Sequence, residues 1–338
     1  MVSLLPAYPT VPAYPTGGNR RSRLRAAALL GVGLLSAPGL LSTAPDPAHA
    51  TGVVSRPFAA TSPFNVPIKA RPSIDPNSTA MVARIARDRQ AYANLTEYGI
   101  PIYTASATTP RVRVTCAMEG DWGVCPLSTQ PMPIPVNARP SSGSDGVLVV
   151  IDPATNTIGE YWQAEPAGTQ WTASWGAVNS LSGSGWGGAS TGAGASRLAG
   201  VVRVDEIRRG VIDHALVVQS DNVCARTFRP PALKTDGLST RTDCIPEGAR
   251  IQLDPSIDLT KITGLSRAER AVARALQLYG GYVIDRGGAP LSISFERAPD
   301  ATSGYPGATY AEAGLRWDYD GMPRVPWHRL RVLQTWNG

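Results

Sequence analysis

The sequence is poor in the residues and motifs that most often indicate a known reaction. Of its three histidines, only His214 and His328 lie beyond the first fifty residues. No Cys-x-x-Cys is present either, so a zinc site is not favoured. There is also no Gly-x-Ser-x-Gly elbow, Walker loop, His-Glu-x-x-His or dinucleotide-binding fingerprint. We therefore expect neither a metal nor a cofactor.

Lysine is also scarce, and Lys69, Lys234 and Lys261 are its only occurrences. The formal net charge of +6 comes mainly from arginine. Four arginines and one acidic residue fall within the first fifty residues, so the remainder of the chain carries a net charge of +3. That modest charge does not imply a nucleic-acid partner.

No apolar run is long enough to span a bilayer. The longest one, from Ala26 to Leu41, is interrupted by glycine and proline and follows an arginine-rich start. With the small residues that end at Ala50, this pattern predicts an export signal over residues 1–50, cleaved after Ala50. The segment Arg20–Leu24 resembles a twin-arginine signal, although Arg23 stands where an apolar residue is usual. A general secretory signal is the alternative, and either signal predicts a secreted protein.

Four cysteines lie beyond the predicted signal, and four cysteines in an exported chain allow three pairings. We favour Cys116–Cys125 and Cys224–Cys244, because each of these pairs brackets a local loop. Each bridge is expected to contribute about 2–4 kcal/mol, mostly by restricting the unfolded chain.

The pattern beyond the signal predicts a mainly β protein, a jelly roll or β-sandwich with two peripheral helices. An extended arm is expected over residues 51–76 and a single domain over 77–338. One helix is predicted from Asn77 or Ser78 to about Ala93, and a second after a capping box at Ser266. A hairpin is predicted to follow, with strands Tyr282–Asp285 and Leu291–Glu296. The other predicted strands are Tyr98–Ala105, Arg111–Cys116, Val147–Asp152, Ile158–Ala164, Trp171–Asn179, Gly200–Val204, Ile212–Gln219 and Arg250–Asp254.

A glycine- and serine-rich segment, Ser180 to Ala195, joins two of the predicted strands and contains Trp186. Such a segment is a binding loop, a mobile lid or a tolerated surface insertion. Asp254 and Asp258 could hold Ca²⁺ through oxygen ligands, but their spacing is not that of an EF-hand.

Five stretches of the sequence, taken in their order along the chain, resemble a family of secreted bacterial proteins known mainly as hypothetical proteins. The resemblance runs from about Ser62 to Glu296 and implies no particular reaction. It does imply that the segment from Asp205-Glu206 to His214-Ala215-Leu216 belongs to one recurring unit. The stretches are Gly143–Asp152, Glu160–Trp162, Trp171–Ala173, Val204–Leu216 and Ala275–Gly287.

Acidic residues provide the first candidate chemistry. Glu160 and Trp162 are two apart on a predicted strand and so share a face. A carboxylate beside an indole suits sugar binding, and apolar contact raises a carboxyl pKa towards that of a general acid. Asp205 or Glu206 could supply the second carboxylate of a glycosidase. The structural alternatives are an acid on an exposed sheet face and an acidic pair at a helix N-terminus.

His214 could assist this chemistry, or it could be a satisfied core histidine. With Tyr279 or Tyr282 it could instead serve a lyase that removes the proton alpha to a uronate carboxylate. Further contacts to a substrate are predicted from residues at strand ends or in aromatic clusters: Asp145, Trp162, Trp171, Trp175, Tyr279 and Tyr282.

The sequence therefore predicts a secreted, monomeric glycoside hydrolase that acts on an extracellular polysaccharide. Glu160 would be one catalytic carboxylate, and Asp205 or Glu206 would be the other. Two alternatives remain open: a polysaccharide lyase, and a non-catalytic glycan-binding or cell-envelope protein.

Overall fold

Residues 56–188 and 190–334 are described by a computed structural model of the chain. The predicted export signal, its cleavage after Ala50 and its twin-arginine character lie outside the described residues. Within those ranges, none of the helices is both long enough and apolar enough to cross a membrane.

The described residues form five short α-helices and seventeen strands. The helices are α1 (Ser78–Ile85), α2 (Glu119–Trp122), α3 (Val204–Arg209), α4 (Arg267–Leu278) and α5 (Ala308–Glu312). The strands are β1 (Tyr92–Asn94), β2 (Ile102–Thr104), β3 (Arg111–Val112), β4 (Val114–Cys116), β5 (Met132–Pro133), β6 (Leu148–Asp152), β7 (Thr157–Trp162), β8 (Glu165–Ala167), β9 (Gln170–Ala173), β10 (Trp175–Ser180), β11 (Leu216–Ser220), β12 (Val223–Phe228), β13 (Ile245–Glu247), β14 (Arg250–Leu253), β15 (Gly281–Arg286), β16 (Ser292–Ser294) and β17 (Leu330–Val332).

Two large mixed sheets organise these strands. One has six strands in the order β1-β16-β11-β15-β14-β17, and the other has four in the order β10-β7-β6-β2. Strand β11 pairs in parallel with β15 and antiparallel with β16. The predicted hairpin between Tyr282–Asp285 and Leu291–Glu296 is therefore wrong, because β11 lies between its two strands.

The alternation of side chains along β6 shows how the sheets stack. Val149 and Ile151 lie in a hydrophobic cluster that also contains residues of β11 and β15. Leu148 and Val150, which alternate with them, lie in a second cluster on the outer side of the four-stranded sheet. Successive strand residues point to opposite faces, so the first cluster fills the space between the two large sheets. The predicted fold class, mainly β with a sandwich-like arrangement, is confirmed.

A third cluster covers the other face of the six-stranded sheet, where α4 packs. Helix α4 begins where predicted: Ser266 Oγ accepts a hydrogen bond from Glu269 N (3.1 Å), and Ser266 N donates to Glu269 Oε2 (2.9 Å). This reciprocal pair satisfies two backbone donors that a helix start leaves open. The local capping pattern was therefore sufficient to place the start of this helix.

Other predicted boundaries need correction. Helix α1 ends at Ile85, and Tyr92–Asn94 is strand β1 rather than the end of a helix. The predicted strand Gly200–Val204 is absent, since residue 202 makes only an isolated bridge and α3 begins at Val204. The predicted arm is not uniformly extended: it folds into successive turns from about residue 59, and Phe64 is buried.

Both predicted disulfides, Cys116–Cys125 and Cys224–Cys244, are present. The first lies in the outer cluster of the four-stranded sheet, where β4 pairs with β9. The second joins β12 to the residue preceding β13. Each bridge therefore links the start of a loop to its end, as the sequence predicts.

Candidate functional site

Glu160 lies on β7 and points into the space between the sheets, where it is fully buried. Its carboxylate accepts hydrogen bonds from the hydroxyls of Ser190 and Ser196 and from the backbone N–H of Arg197 (2.8 Å). A buried carboxylate is tolerated when donors surround it in this way. Both of its oxygens are engaged by the protein itself.

Arg197 is the cation of this network. Its Nη1 lies 2.8 Å from Asp285 Oδ2, and its Nη2 donates to the carbonyl oxygen of Ser190 at 2.6 Å. The carboxylates of Asp285, Asp145 and Glu160 all interact electrostatically with this guanidinium. Two predicted site residues, Asp145 and Glu160, thus come together around an arginine that the sequence did not single out.

The glycine- and serine-rich segment is part of this core. Thr191, Ala193 and Ala195 are buried, and Trp186 stacks on Phe64 with ring centroids 5.4 Å apart. Its apolar residues pack between the two large sheets. This packing argues against a mobile lid.

Three acids meet next to Arg197: Asp236, Glu247 and Asp285, the acidic cluster. One oxygen of each lies within 4.8 Å of those of the other two. Burial, followed by repulsion from Asp236 and Asp285, holds the pKa of Glu247 well above its ordinary value. Burial also raises the pKa of Asp285, although Arg197 opposes that shift. The cluster is electrostatically strained wherever all three groups are ionised.

Asp205 and Glu206 occupy the first turn of α3 but enter separate networks. Asp205 is half-exposed and pairs with Arg208 and Arg209 on the same helix. Glu206 is buried, and its Oε2 accepts a hydrogen bond from Arg203 N at 2.8 Å. No described ion pair or hydrogen bond joins either residue to Glu160.

His214 precedes β11 and is buried against Glu206, with its Nε2 3.0 Å from Glu206 Oε1. Its Nδ1 donates to the carbonyl oxygen of Ala215 at 2.9 Å. Burial alone would lower the pKa of His214, but the Glu206 carboxylate and the two hydrogen bonds outweigh burial and raise it. The crevice beside the pair has a volume of about 10 Å³, room for about one water molecule. A sugar ring does not fit there.

The His214–Glu206 pair predicts a pH-dependent stability. Because the folded-state pKa exceeds the ordinary 6.5, the imidazolium stabilises the fold below that pH. This contribution disappears as the pH rises through the folded-state value. We expect His214→Gln to cost about 2 kcal/mol at about pH 5.5 and clearly less near pH 9. Urea denaturation across this range measures the difference. His328→Gln, at an exposed position, should show no such trend, and a pH-independent cost at position 214 would contradict the assignment.

The predicted aromatic contacts are mostly core residues. Trp171 and Trp175 are buried in the outer cluster, and Trp162 stacks on Trp122 with ring centroids 6.0 Å apart. Tyr282 is fully buried, and Tyr279 is partly buried against the inter-sheet cluster. None of these rings is strongly exposed, so they form no open row of sugar-stacking surfaces.

A groove of about 670 Å³ lies between the 140–146 loop and the β8–β9 edge. A row of hydrogen bonds runs along it: Ser174 Oγ donates to Gln163 Oε1 (2.5 Å), and Gln163 Nε2 donates to the carbonyl oxygen of Ser144 (3.2 Å). Ser144 Oγ and Tyr98 Oη extend the row at 3.1 Å. Gln163 has a φ of 53°, in the left-handed region that favours glycine. Seven other described non-glycine residues also have a positive φ, so Gln163 is a candidate because it combines this backbone with a place in the groove.

Sequence reasoning missed Arg197, Asp236, Glu247 and Gln163. Arg197, Asp236 and Glu247 come together with Asp285 only through contacts among distant segments: the β12–β13 loop, β13, β15 and the residues that follow the glycine-rich segment. Gln163 lies apart from them, in the groove. No local spacing of residues in the sequence predicts these positions. Asp285 ends the first strand of the predicted hairpin, which does not form.

Comparison of the chain with protein-family models, with curated proteins and with solved structures finds no match.

Proposed function

We propose that the protein acts outside the cytoplasm and binds a neutral polysaccharide in the groove lined by Ser144, Gln163 and Ser174. The observation that carries this proposal is the row of fixed hydroxyl and amide groups from Ser174 to Tyr98. Preorganised polar groups of this kind bind sugar hydroxyls without paying for their own ordering. The groove volume also suits a segment of one or two sugar rings.

The charge of the groove favours a neutral glycan over a uronate polymer. Among the described residues that line it, only Glu165 is charged. A uronate carboxylate would call for an arginine or lysine partner, so lyase chemistry finds no support in this groove. Two disulfides are consistent with a protein that works in an oxidising compartment.

Two exposed aromatic rings lie on the segment that binds the backbone of residues 95 to 97. Trp317 is 57% exposed and Tyr319 is 36% exposed. Tyr319 Oη donates to Glu97 Oε2 at 2.6 Å, and Glu97 is the neighbour of Tyr98. Asp318, between the two rings, accepts the backbone N–H groups of residues 95 to 97. This anchoring ties Tyr319 to Glu97, whose carbonyl oxygen accepts a hydrogen bond from Gly143 N at the edge of the groove. An aromatic ring at such an edge can stack on a bound sugar.

Gln163→Gly tests the proposal, because glycine adopts the left-handed conformation freely. We expect the thermal midpoint to stay the same or rise, while affinity for the bound polysaccharide falls at least about tenfold. Affinity electrophoresis and calorimetry on neutral glucans, xylans and dextrans, with pectate and alginate beside them, measure the binding. Asn156→Gly is the matched control, since Asn156 also has a positive φ, of 56°, but lies in the β6–β7 turn. Equal binding by wild type and Gln163→Gly would overturn the proposal.

Hydrolysis by Glu160 with Asp205 or Glu206 remains a separate prediction. Glu160, Asp205 and Glu206 belong to three separate hydrogen-bond networks, which supports a structural role for each of them. Release of reducing ends from the same polysaccharides, lost in Glu160→Gln, would favour the hydrolase instead.

A further inference from the structure

The acidic cluster shares no residue with the lining of the groove or with the Glu206–His214 pair. Its members come from three chain segments: Asp236 from the loop after β12, Glu247 from the end of β13, and Asp285 from β15. Glu247 is fully buried, the Asp285 side chain is 13% exposed, and Asp236 faces solvent. An ion can therefore enter from the Asp236 side and meet a buried carboxylate behind it.

The protein's own donors do not neutralise this cluster. Asp285 receives Arg197 Nη1 and Gly192 N, Glu247 Oε2 receives Asp236 N at 3.2 Å, and Asp236 Oδ1 receives Arg286 N at 3.0 Å. Of the buried side-chain oxygens in the described residues, Glu247 Oε1 is the one carboxylate atom with no hydrogen-bond partner. Leaving such an atom buried and unsatisfied costs free energy.

Arg197 cannot supply the missing charge, because Asp145 and Glu160 share it with Asp285. Three carboxylates thus interact with one guanidinium, and one of them, Asp285, also belongs to the acidic cluster. A proton shared between Glu247 and Asp236 would relieve part of the repulsion, and a bound cation would relieve more of it.

Gly192 shapes the space in front of the unsatisfied oxygen. A Cβ placed on Gly192 would lie 2.6 Å from Glu247 Oε1 and 2.6 Å from Asp236 Cγ. Only a backbone without a side chain leaves room at this point. Gly192 therefore packs directly against the carboxylates, and any larger residue would displace them.

We propose that Asp236, Glu247 and Asp285 bind a divalent cation that prefers oxygen ligands, such as Ca²⁺. Carboxylates at this spacing supply the hard oxygen donors that such an ion takes, and water on the exposed side completes its shell. The bound ion ties the glycine-rich segment, the β12–β13 loop and β15 together. It therefore stabilises the packing between the two sheets.

Thermal unfolding of the full chain, first treated with a chelator and then titrated with CaCl₂ or MgCl₂, tests the site. A ligand that binds only the folded state raises the midpoint, by roughly 5 °C when its concentration is about a hundredfold above Kd. Calorimetry should give one ion per chain. Glu247→Gln is expected to abolish both signals. It should also raise the midpoint in chelator, because it removes a buried acid whose ionisation burial and the two neighbouring acids oppose. Asp236→Asn, at an exposed position, is expected to abolish the ion response without endangering the fold.

Asp258→Asn is the control, because Asp258 is an exposed acid bound to Thr260 at the start of a short 3-10 turn. It should keep the full response to the ion. Absence of any response in wild type at millimolar Ca²⁺ and Mg²⁺ would overturn the proposal, and so would a response retained in both cluster variants. If Glu247→Gln stabilises a chain that shows no ion response, the cluster shares a proton only, and the proposal fails.

Discussion

Replacing Arg197 with methionine is expected to lower the free energy of unfolding by about 3–5 kcal/mol. The methionine side chain fills much of the same space but leaves Asp285, Asp145 and Glu160 without their shared cation. A buried charge that loses its partner keeps its desolvation cost, which is why breaking such a pair costs more than the pair contributes. The carbonyl oxygen of Ser190 also loses its donor. Urea denaturation at neutral pH measures the loss.

Two further variants define the origin of that loss. Arg208→Met removes an arginine that pairs with Asp205 and whose side chain is 61% exposed. It should change the free energy of unfolding by less than about 0.5 kcal/mol. Combining Arg197→Met with Asp285→Asn should cost less than the sum of the single changes by about 1–3 kcal/mol. A loss below about 1 kcal/mol for Arg197→Met would contradict the role of this residue as the central cation.

Glu160→Leu is expected to cost about 3–5 kcal/mol, because three donors lose their acceptor at once. These donors are the hydroxyls of Ser190 and Ser196 and the N–H of Arg197. Glu160→Gln keeps the shape and one acceptor oxygen, so it should cost about 2 kcal/mol. Chemical denaturation gives both values, and Glu312→Gln, at an exposed position of α5, serves as the neutral control.

The same variant separates a structural from a catalytic role for Glu160. Well below its unfolding midpoint, Glu160→Gln should bind the polysaccharide as wild type does, since Glu160 does not line the groove. Loss of a measured cleavage activity with the fold intact would instead assign Glu160 to catalysis. Stability and binding must therefore be measured on the same samples.

Local patterns in the sequence predicted local features. The Ser266–Glu269 capping box placed the start of α4, and loop lengths between cysteines predicted both disulfides. The apolar run in Val147–Asp152, followed by a turn signal at Asp152-Pro153, predicted β6 to within one residue. In each case the interacting groups are close in the chain, so their spacing carries the information.

Features built from distant segments could not be predicted in this way. Glu247 ends the segment Ile245-Pro246-Glu247, which looks like an ordinary short strand in the sequence. Only the pairing of β13 with β12 brings Glu247 close to Asp236. Gln163 gives no sign in the sequence of its left-handed backbone, since glycine and asparagine are the residues expected there. His214 was recognised as a candidate, but its partner Glu206 and its lack of open space are properties of the folded chain.

The position of β11 has a consequence for how the chain becomes folded. Its residues Leu216, Val217 and Val218 are fully buried, and its neighbours β15 and β16 come roughly sixty and roughly seventy residues later in the chain. Until those residues have been synthesised, both edges of an apolar strand stay open, and open apolar edges attract other chains. Closure of the six-stranded sheet is thus a late, non-local event. A nascent chain that ends before residue 281 therefore exposes Leu216, Val217 and Val218, which are fully buried in the folded protein.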